Sequence, residues 1–162
     1  MRRRRNPTMV PPSPTGTGDF MLVSQILRAK GDAVFTVAPT DTVGRVAELL
    51  HSRRVGAFVV TQGDRVVGIV SERDIVRAVA GGDVGVTSRP VSAYMTAEDL
   101  FAAPGESVDA LLTRMTDRRI RHLPVLEAGR LVGIVSIGDL VKWKISEVEA
   151  EADGLKAYIA GS

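Results

Sequence analysis

Gly68-Ile-Val-Ser-Glu-Arg-Asp74 returns 65 positions further on as Gly133-Ile-Val-Ser-Ile-Gly-Asp139. Self-similarity at a fixed offset decides the architecture before any local propensity does, because a missed repeat misassigns the whole fold. The match runs well beyond the motif. Laid without a gap, residues 41–76 over 106–141 share 12 identities in 36 positions: Val43, Arg53, Arg54, Val60, Arg65, Val67, Gly68, Ile69, Val70, Ser71, Asp74 and Val76. Val46/Leu111, Val55/Ile120 and Val66/Leu131 are conservative exchanges in the same frame. One structural unit is used twice.

Outward from the motif, each unit reads strand–helix–strand–strand–helix. In the first, Ala33–Val37 suits a short strand ended by Pro39, and Thr42 can cap a helix carrying Val43, Val46, Ala47, Leu49 and Leu50. The apolar runs Gly56–Thr61 and Arg65–Val70 flank Gln62-Gly63-Asp64, a hairpin signal. A helix from Ser71 through Ile75, Val76 and Val79 stops at Gly81-Gly82. The second unit offers a weak strand near Leu100–Ala102, a helix from Ser107, strands Arg121–Leu126 and Arg130–Val135, and a helix from Ser136. Ahead of both, Val23, Ile26 and Leu27 have helical spacing before Gly31. The last helix outruns its counterpart, its apolar stripe continuing through Ile145 and Val148 toward Leu155 and Ile159 across a possible break at Gly154. The expected organisation is a disordered tail over 1–20, a first repeat over 21–82, a linker over 83–97 with at most one helical turn, a second repeat over 98–146 and a helical extension over 147–162.

Composition narrows the classes. At 162 residues and 44% hydrophobic, a core is attainable, and two such repeats, each marginal alone, should pack together. With no cysteine, disulfides, thiol catalysis and thiolate metal sites are excluded, and a cytoplasmic setting is the default. No apolar run approaches the ~20 residues of a membrane span. A net charge of +2, with four arginines in the clump Arg2–Arg5, argues against nucleic acid as a partner. The Pro/Gly/Thr segment after that clump reads as disordered and lacks the apolar core of a signal peptide; a nucleic-acid or membrane tether is the weaker alternative, and an over-extended start is another, since Met21 directly precedes the first amphipathic stretch.

The duplicated turn supports a specific chemistry. A β-branched strand ends on Gly-Ile-Val, then Ser opens a helix and Asp follows three residues on. The exposed amides and positive dipole end of a helix N-terminus favour phosphate. A hydroxyl at Ser71 or Ser136 can bond the same anion, and a carboxylate at Asp74 or Asp139 can accept from both vicinal ribose hydroxyls. Ser-x-x-Asp is equally a capping box, in which Ser caps the helix and Asp reaches back to the Ser amide. Two copies behind the same strand ending favour binding and leave capping open. His51 and His122 are the only histidines and have no acid or cysteine cluster at ligand spacing, which argues against a metal.

These residues resemble the CBS domain, and the tandem arrangement resembles a Bateman module of the kind found in small stand-alone bacterial CBS-pair proteins. The resemblance spans about Val23 to Lys144 and rests on the Gly-h-x-Ser-x-x-Asp signature in both repeats and on Arg121-His-Leu-Pro-Val125. It implies an α/β (α+β) fold of two pseudo-symmetric β-α-β-β-α repeats, adenine nucleotides (AMP, ADP, ATP or NAD) in clefts between them, and a homodimer. Carried over, it places Ser71 and Ser136 at phosphate and Asp74 and Asp139 at ribose. Gly56, Ala57, His122 and Leu123, with Val37 and Ala38, would line adenine; Pro124 and Arg121 belong to the second motif, and Arg73 could clamp a phosphate. Gly138 stands where the second copy would need that arginine, and Phe58-Val59 replaces Leu123-Pro124 in the first, so the clefts should differ.

The leading reading is a non-catalytic sensor that reports nucleotide occupancy to a protein target. The alternative is a dimerisation scaffold with vestigial clefts. An enzyme ranks last, for want of a nucleophile–base pair, carboxylate dyad or metal cluster.

Overall fold

The computed structural model describes residues 21–31, 33–97 and 100–161; the expected N-terminal tail lies outside them. The fold is α+β. Its helices are α1 (Val23–Lys30), α2 (Val43–Arg53), α3 (Glu72–Ala80), α4 (Val108–Arg118) and α5 (Ile137–Ala160). Its strands are β1 (Thr36–Val37), β2 (Ala57–Gln62), β3 (Arg65–Ser71), β4 (His122–Glu127) and β5 (Arg130–Ser136). The linker forms two 3-10 turns, Val86–Ser88 and Val91–Ala93, rather than one helical turn. α5 runs unbroken through Gly154.

By packing, the chain divides into two compact units: one takes the chain up to Gly31, Pro104–Arg121 and the chain from Val135, the other Asp32–Ala103 and His122–Ile134. The second holds the sheet β1-β2-β3, with β1 parallel and β3 antiparallel to β2. Val37, Val46, Leu50, Phe58, Val60, Val70 and Val91 form its core. The first is helical: Val23 and Ile26 of α1, Val108, Leu111 and Met115 of α4, and Leu140 and Trp143 of α5 are buried.

The repeat is legible bond by bond. Thr42 caps α2 by accepting from the Arg45 amide at 3.1 Å, and Ser107 caps α4 by accepting from Ala110 at 3.2 Å. Both helices end on an arginine in the left-handed region, Arg54 and Arg119, each at φ 54°. The segments ahead of the repeats are also equivalent: Val23 donates to the Glu106 carbonyl at 2.9 Å and Val91 to the Asp41 carbonyl at 2.7 Å. Each lead-in thereby closes the start of the helix in the other repeat.

The copies differ at one strand. The expected strand near Leu100–Ala102 is a single parallel bridge, Ala102 to Val125, where the first copy pairs two residues. Ala102 donates to the Pro124 carbonyl and accepts from Leu126, both at 2.9 Å. The next bond of that ladder would need an N–H from Pro124, which has none. β1 is shorter than the Ala33–Val37 run; Phe35 is exposed, with the Arg53 guanidinium 4.5 Å above its ring. On α3, Ala78 and Asp74 face inward, and Val76 and Val79, expected in the apolar face, are exposed.

Candidate functional site

In the sheet unit, β3 ends at Ser71, which holds extended geometry (φ −112°, ψ 166°) as the N-cap of α3. Its hydroxyl accepts from the Asp74 amide at 3.3 Å. Asp74 Oδ2 in turn accepts from the Ser71 amide at 2.8 Å and the Ser71 hydroxyl at 3.0 Å. Asp74 is the one buried charged side chain among the described residues, which is tolerable because these donors and the Arg77 guanidinium, 3.5 Å from Oδ1, surround it. Glu72 donates its amide to the Gly56 carbonyl at 3.0 Å, tying the loop before β2 to the start of α3.

The β2–β3 register sets Ala57 directly opposite Ser71. Gly56, Ala57, Ser71 and Asp74 are thus brought together. The His122 ring joins them: a Cβ at Gly56 would lie 3.0 Å from its Nε2, a tight approach that a small shift of the ring would relieve. Val37 pairs instead with Val60, three residues along β2 from Ala57 or about 10 Å at strand rise. Ala38 follows it, its amide held at 2.8 Å by Asp41 Oδ2. Leu123 and Pro124 are buried in β4, and Arg73 is exposed on α3.

The helical unit carries the second turn. Ser136 caps α5 with φ −103° and ψ 161°, accepting from the Asp139 amide at 3.1 Å. Asp139 Oδ2 accepts from the Ser136 amide at 2.9 Å and from Lys30 Nζ at 2.7 Å. Ile137 donates to the Arg121 carbonyl at 2.8 Å, the counterpart of Glu72 and Gly56. The Arg121 side chain is exposed, as is Gly138. Burial pushes the Asp139 carboxyl up, but the Lys30 and Ser136 hydrogen bonds and the Lys30 charge outweigh it and hold the group below its ordinary value.

Both capping boxes are therefore formed, and each takes the Ser and Asp that the binding reading needs. Lys30 was not among the expected site residues. It lies 109 positions from Asp139, beside the stop of a different helix, and no local pattern announces such a pair. Arg77, at i+3 from Asp74, has the spacing of a helix-face ion pair, a signal present in the sequence itself. His51 is exposed, and among the described residues no group of His, Cys, Asp and Glu could hold a metal ion.

The comparisons with known proteins agree with this duplicated geometry. The CBS domain family model matches residues 23–81 and again 91–146. The CBS domain-containing protein YhcV of Bacillus subtilis is 36% identical over 118 residues, covering 72% of this chain and 83% of that protein. A crystal structure of a CBS-domain-containing protein from Agrobacterium tumefaciens is 42% identical with a TM-score of 0.74, over 76% of this chain and 99% of that one. A CBS domain protein from Pyrobaculum aerophilum, solved in complex with AMP, is 29% identical with a TM-score of 0.69, over 82% of this chain and 99% of that one.

Proposed function

The chain belongs to the CBS domain family, with two copies, and from that premise we propose that it is a non-catalytic regulatory module that binds an adenine nucleotide and reports its occupancy to a protein partner. The observation that carries the proposal is the duplicated turn: Ser71/Asp74 and Ser136/Asp139 repeat one hydrogen-bonded geometry at the start of α3 and of α5. The Pyrobaculum relative, in complex with AMP, supports the ligand class. AMP, ADP, ATP and NAD share the phosphate, ribose and adenine that such a turn reads.

In this reading Ser71 and Ser136, with the amides around them, meet phosphate, while Asp74 and Asp139 hold ribose. Gly56, Ala57, His122 and Leu123 lie against adenine, with Val37, Ala38 and Pro124 behind them. Arg73 and Arg121, exposed at their turns, reach for phosphate. The repeats are 21–82 and 98–146, and the protein works as a homodimer in the cytoplasm. A second reading, a scaffold with vestigial clefts, is favoured by the capping boxes, since each Ser–Asp pair is already satisfied within its own turn.

Thermal melting of ligand-free protein with millimolar AMP, ADP, ATP or NAD separates the two. A ligand at 100 times its dissociation constant stabilises the fold by about 2.7 kcal/mol, a rise of roughly 5–10 °C. If no nucleotide moves the melting curve, the scaffold reading replaces the sensor.

A further inference from the structure

Helix α5 spans 24 residues, Ile137–Ala160, where its counterpart α3 has nine, Glu72–Ala80. It carries two apolar stripes. Leu140 and Trp143 are buried in the helical unit, and on the same face Lys144 bonds Glu147 at 2.9 Å and Asp109 at 3.1 Å. The other stripe, Val141, Ile145, Val148, Ala152, Leu155 and Ile159, lies roughly 130° round the helix at 3.6 residues per turn. Its larger members are exposed: Val141 43%, Ile145 53%, Val148 52%, Leu155 63% and Ile159 67%.

The spacing of this stripe alternates four and three without exception, a 3.5-residue period that keeps one seam facing a partner helix. We infer that α5 forms a parallel, in-register two-stranded coiled coil with a second copy of this chain. This rests on the homodimer reading above and deepens it by naming the surface and its polarity.

The charges flanking the seam choose both the occupant and the direction. In a parallel pair, each residue on one flank meets the residue five positions on in the partner. Glu151 then faces Lys156 of the second copy, a pair that occurs twice by symmetry, and Glu149 faces Lys144, whose ammonium is already bonded to Asp109 and Glu147 of its own chain. In the antiparallel arrangement that keeps the same seam, Lys142 falls near Lys156, Glu149 near Glu149 and Glu151 near Glu151, all like charges. Only the parallel dimer turns every such contact attractive. The acids Glu147, Glu149, Glu151 and Asp153 speak against an anionic membrane surface as the occupant. The seam from Val141 to Ile159 is about 27 Å long, short for an isolated coiled coil. Here the first turns of α5 are already anchored through Leu140 and Trp143, so helix nucleation is not charged to the seam.

The full-length chain tests this directly. It has no native cysteine, so Leu155→Cys introduces a single thiol, which in a parallel seam meets its own copy. Mild oxidation should convert the dimer almost wholly to a disulfide-linked species, and Ala157→Cys, on the outer face, should not cross-link. Glu151→Lys should weaken dimerisation roughly tenfold by sedimentation, through two surface pairs turned repulsive, and adding Lys156→Glu should restore it. A wild-type monomer at tens of micromolar, a dimer without the Leu155→Cys cross-link, or a charge reversal without effect would overturn the inference. The melting shift with AMP, read on the same samples, is independent of the seam. Its survival after any of these failures leaves nucleotide sensing standing, and its absence beside a proven seam removes sensing alone.

Discussion

Replacing Asp139 by asparagine separates the two uses of the Ser–Asp turn. The substitution keeps size and one acceptor oxygen, so the Ser136 amide, 2.9 Å from Oδ2, keeps its bond. What the fold loses is the ion pair with Lys30, whose side chains are 39% and 27% exposed. A pair that wet is worth about 0.2–1 kcal/mol, which lowers the melting temperature by roughly 4 °C at most. Ribose loses a charged acceptor and the second carboxylate oxygen. A hydrogen bond to a charged group contributes about 1.5–3 kcal/mol, so AMP affinity should fall roughly ten- to 150-fold. Asp74→Asn is the companion variant, because Oδ2 there accepts from both the amide and the hydroxyl of half-buried Ser71. An amide NH2 in the place of Oδ1 would point at Arg77, 3.5 Å away, and the alternative flip would point it at the Ser71 amide. The first orientation keeps both Ser71 bonds and gives up only a pair with a guanidinium that is 71% exposed, so the apo protein should lose about 0.2–1 kcal/mol. Titration calorimetry with AMP and melting curves of the ligand-free variants give both numbers. An unchanged dissociation constant in Asp139→Asn beside a lowered apo melting temperature would refute the binding reading and leave the turn a cap.

Three further outcomes follow from the packing. Gly68→Ala should cost about 1–3 kcal/mol in denaturant unfolding, because its Cβ would lie 2.7 Å from the Thr96 carbonyl and 2.9 Å from Met95 Sδ, on the segment that Ile69 bonds to β3; a neutral result would mean that segment gives way freely. Leu111→Ala, at a fully buried α4 position, should cost about 2–5 kcal/mol, and a smaller loss would show the helical unit collapsing onto the cavity. Asp139 has a folded pKa below its unfolded value near 3.8, so its contribution is present above that pH and is lost as pH falls through the folded value. Lys30→Met should therefore shrink the loss of stability below pH 4, and an identical acid limb in both proteins would remove Lys30 as the cause.

The repeat, the hairpins and the helix starts at Thr42, Ser107, Ser71 and Ser136 were legible because local chemistry sets them: β-branched runs, turn residues and cap hydroxyls act within a few positions of themselves. What escaped the sequence is what depends on a partner far along the chain. The second first-strand reads as a strand by composition, yet its ladder ends at one bridge because Pro124, on another element, has no N–H to give. Val76 and Val79 fit a helical apolar stripe, and only the placement of α3 on the sheet, through Ala78 and Asp74, turns them outward. The Lys30–Asp139 bond joins α1 to α5 and has no sequence signal at all. The candidate site sits between these cases. Its Ser and Asp were found easily, since helix capping and phosphate–ribose recognition require the same hydroxyl, the same carboxylate and the same three-residue spacing. That coincidence is why the motif cannot separate the two uses by itself. The two turns differ in how the carboxylate is held: Asp74 accepts from both the amide and the hydroxyl of Ser71 and has Arg77 3.5 Å away, while Asp139 accepts from the Ser136 amide and, at 2.7 Å, from a lysine on another helix. In the proposed reading the turn at Ser136 is the more open of the two, its Asp139 side chain 27% exposed against 7% for Asp74, although Arg73 gives the other the extra cation.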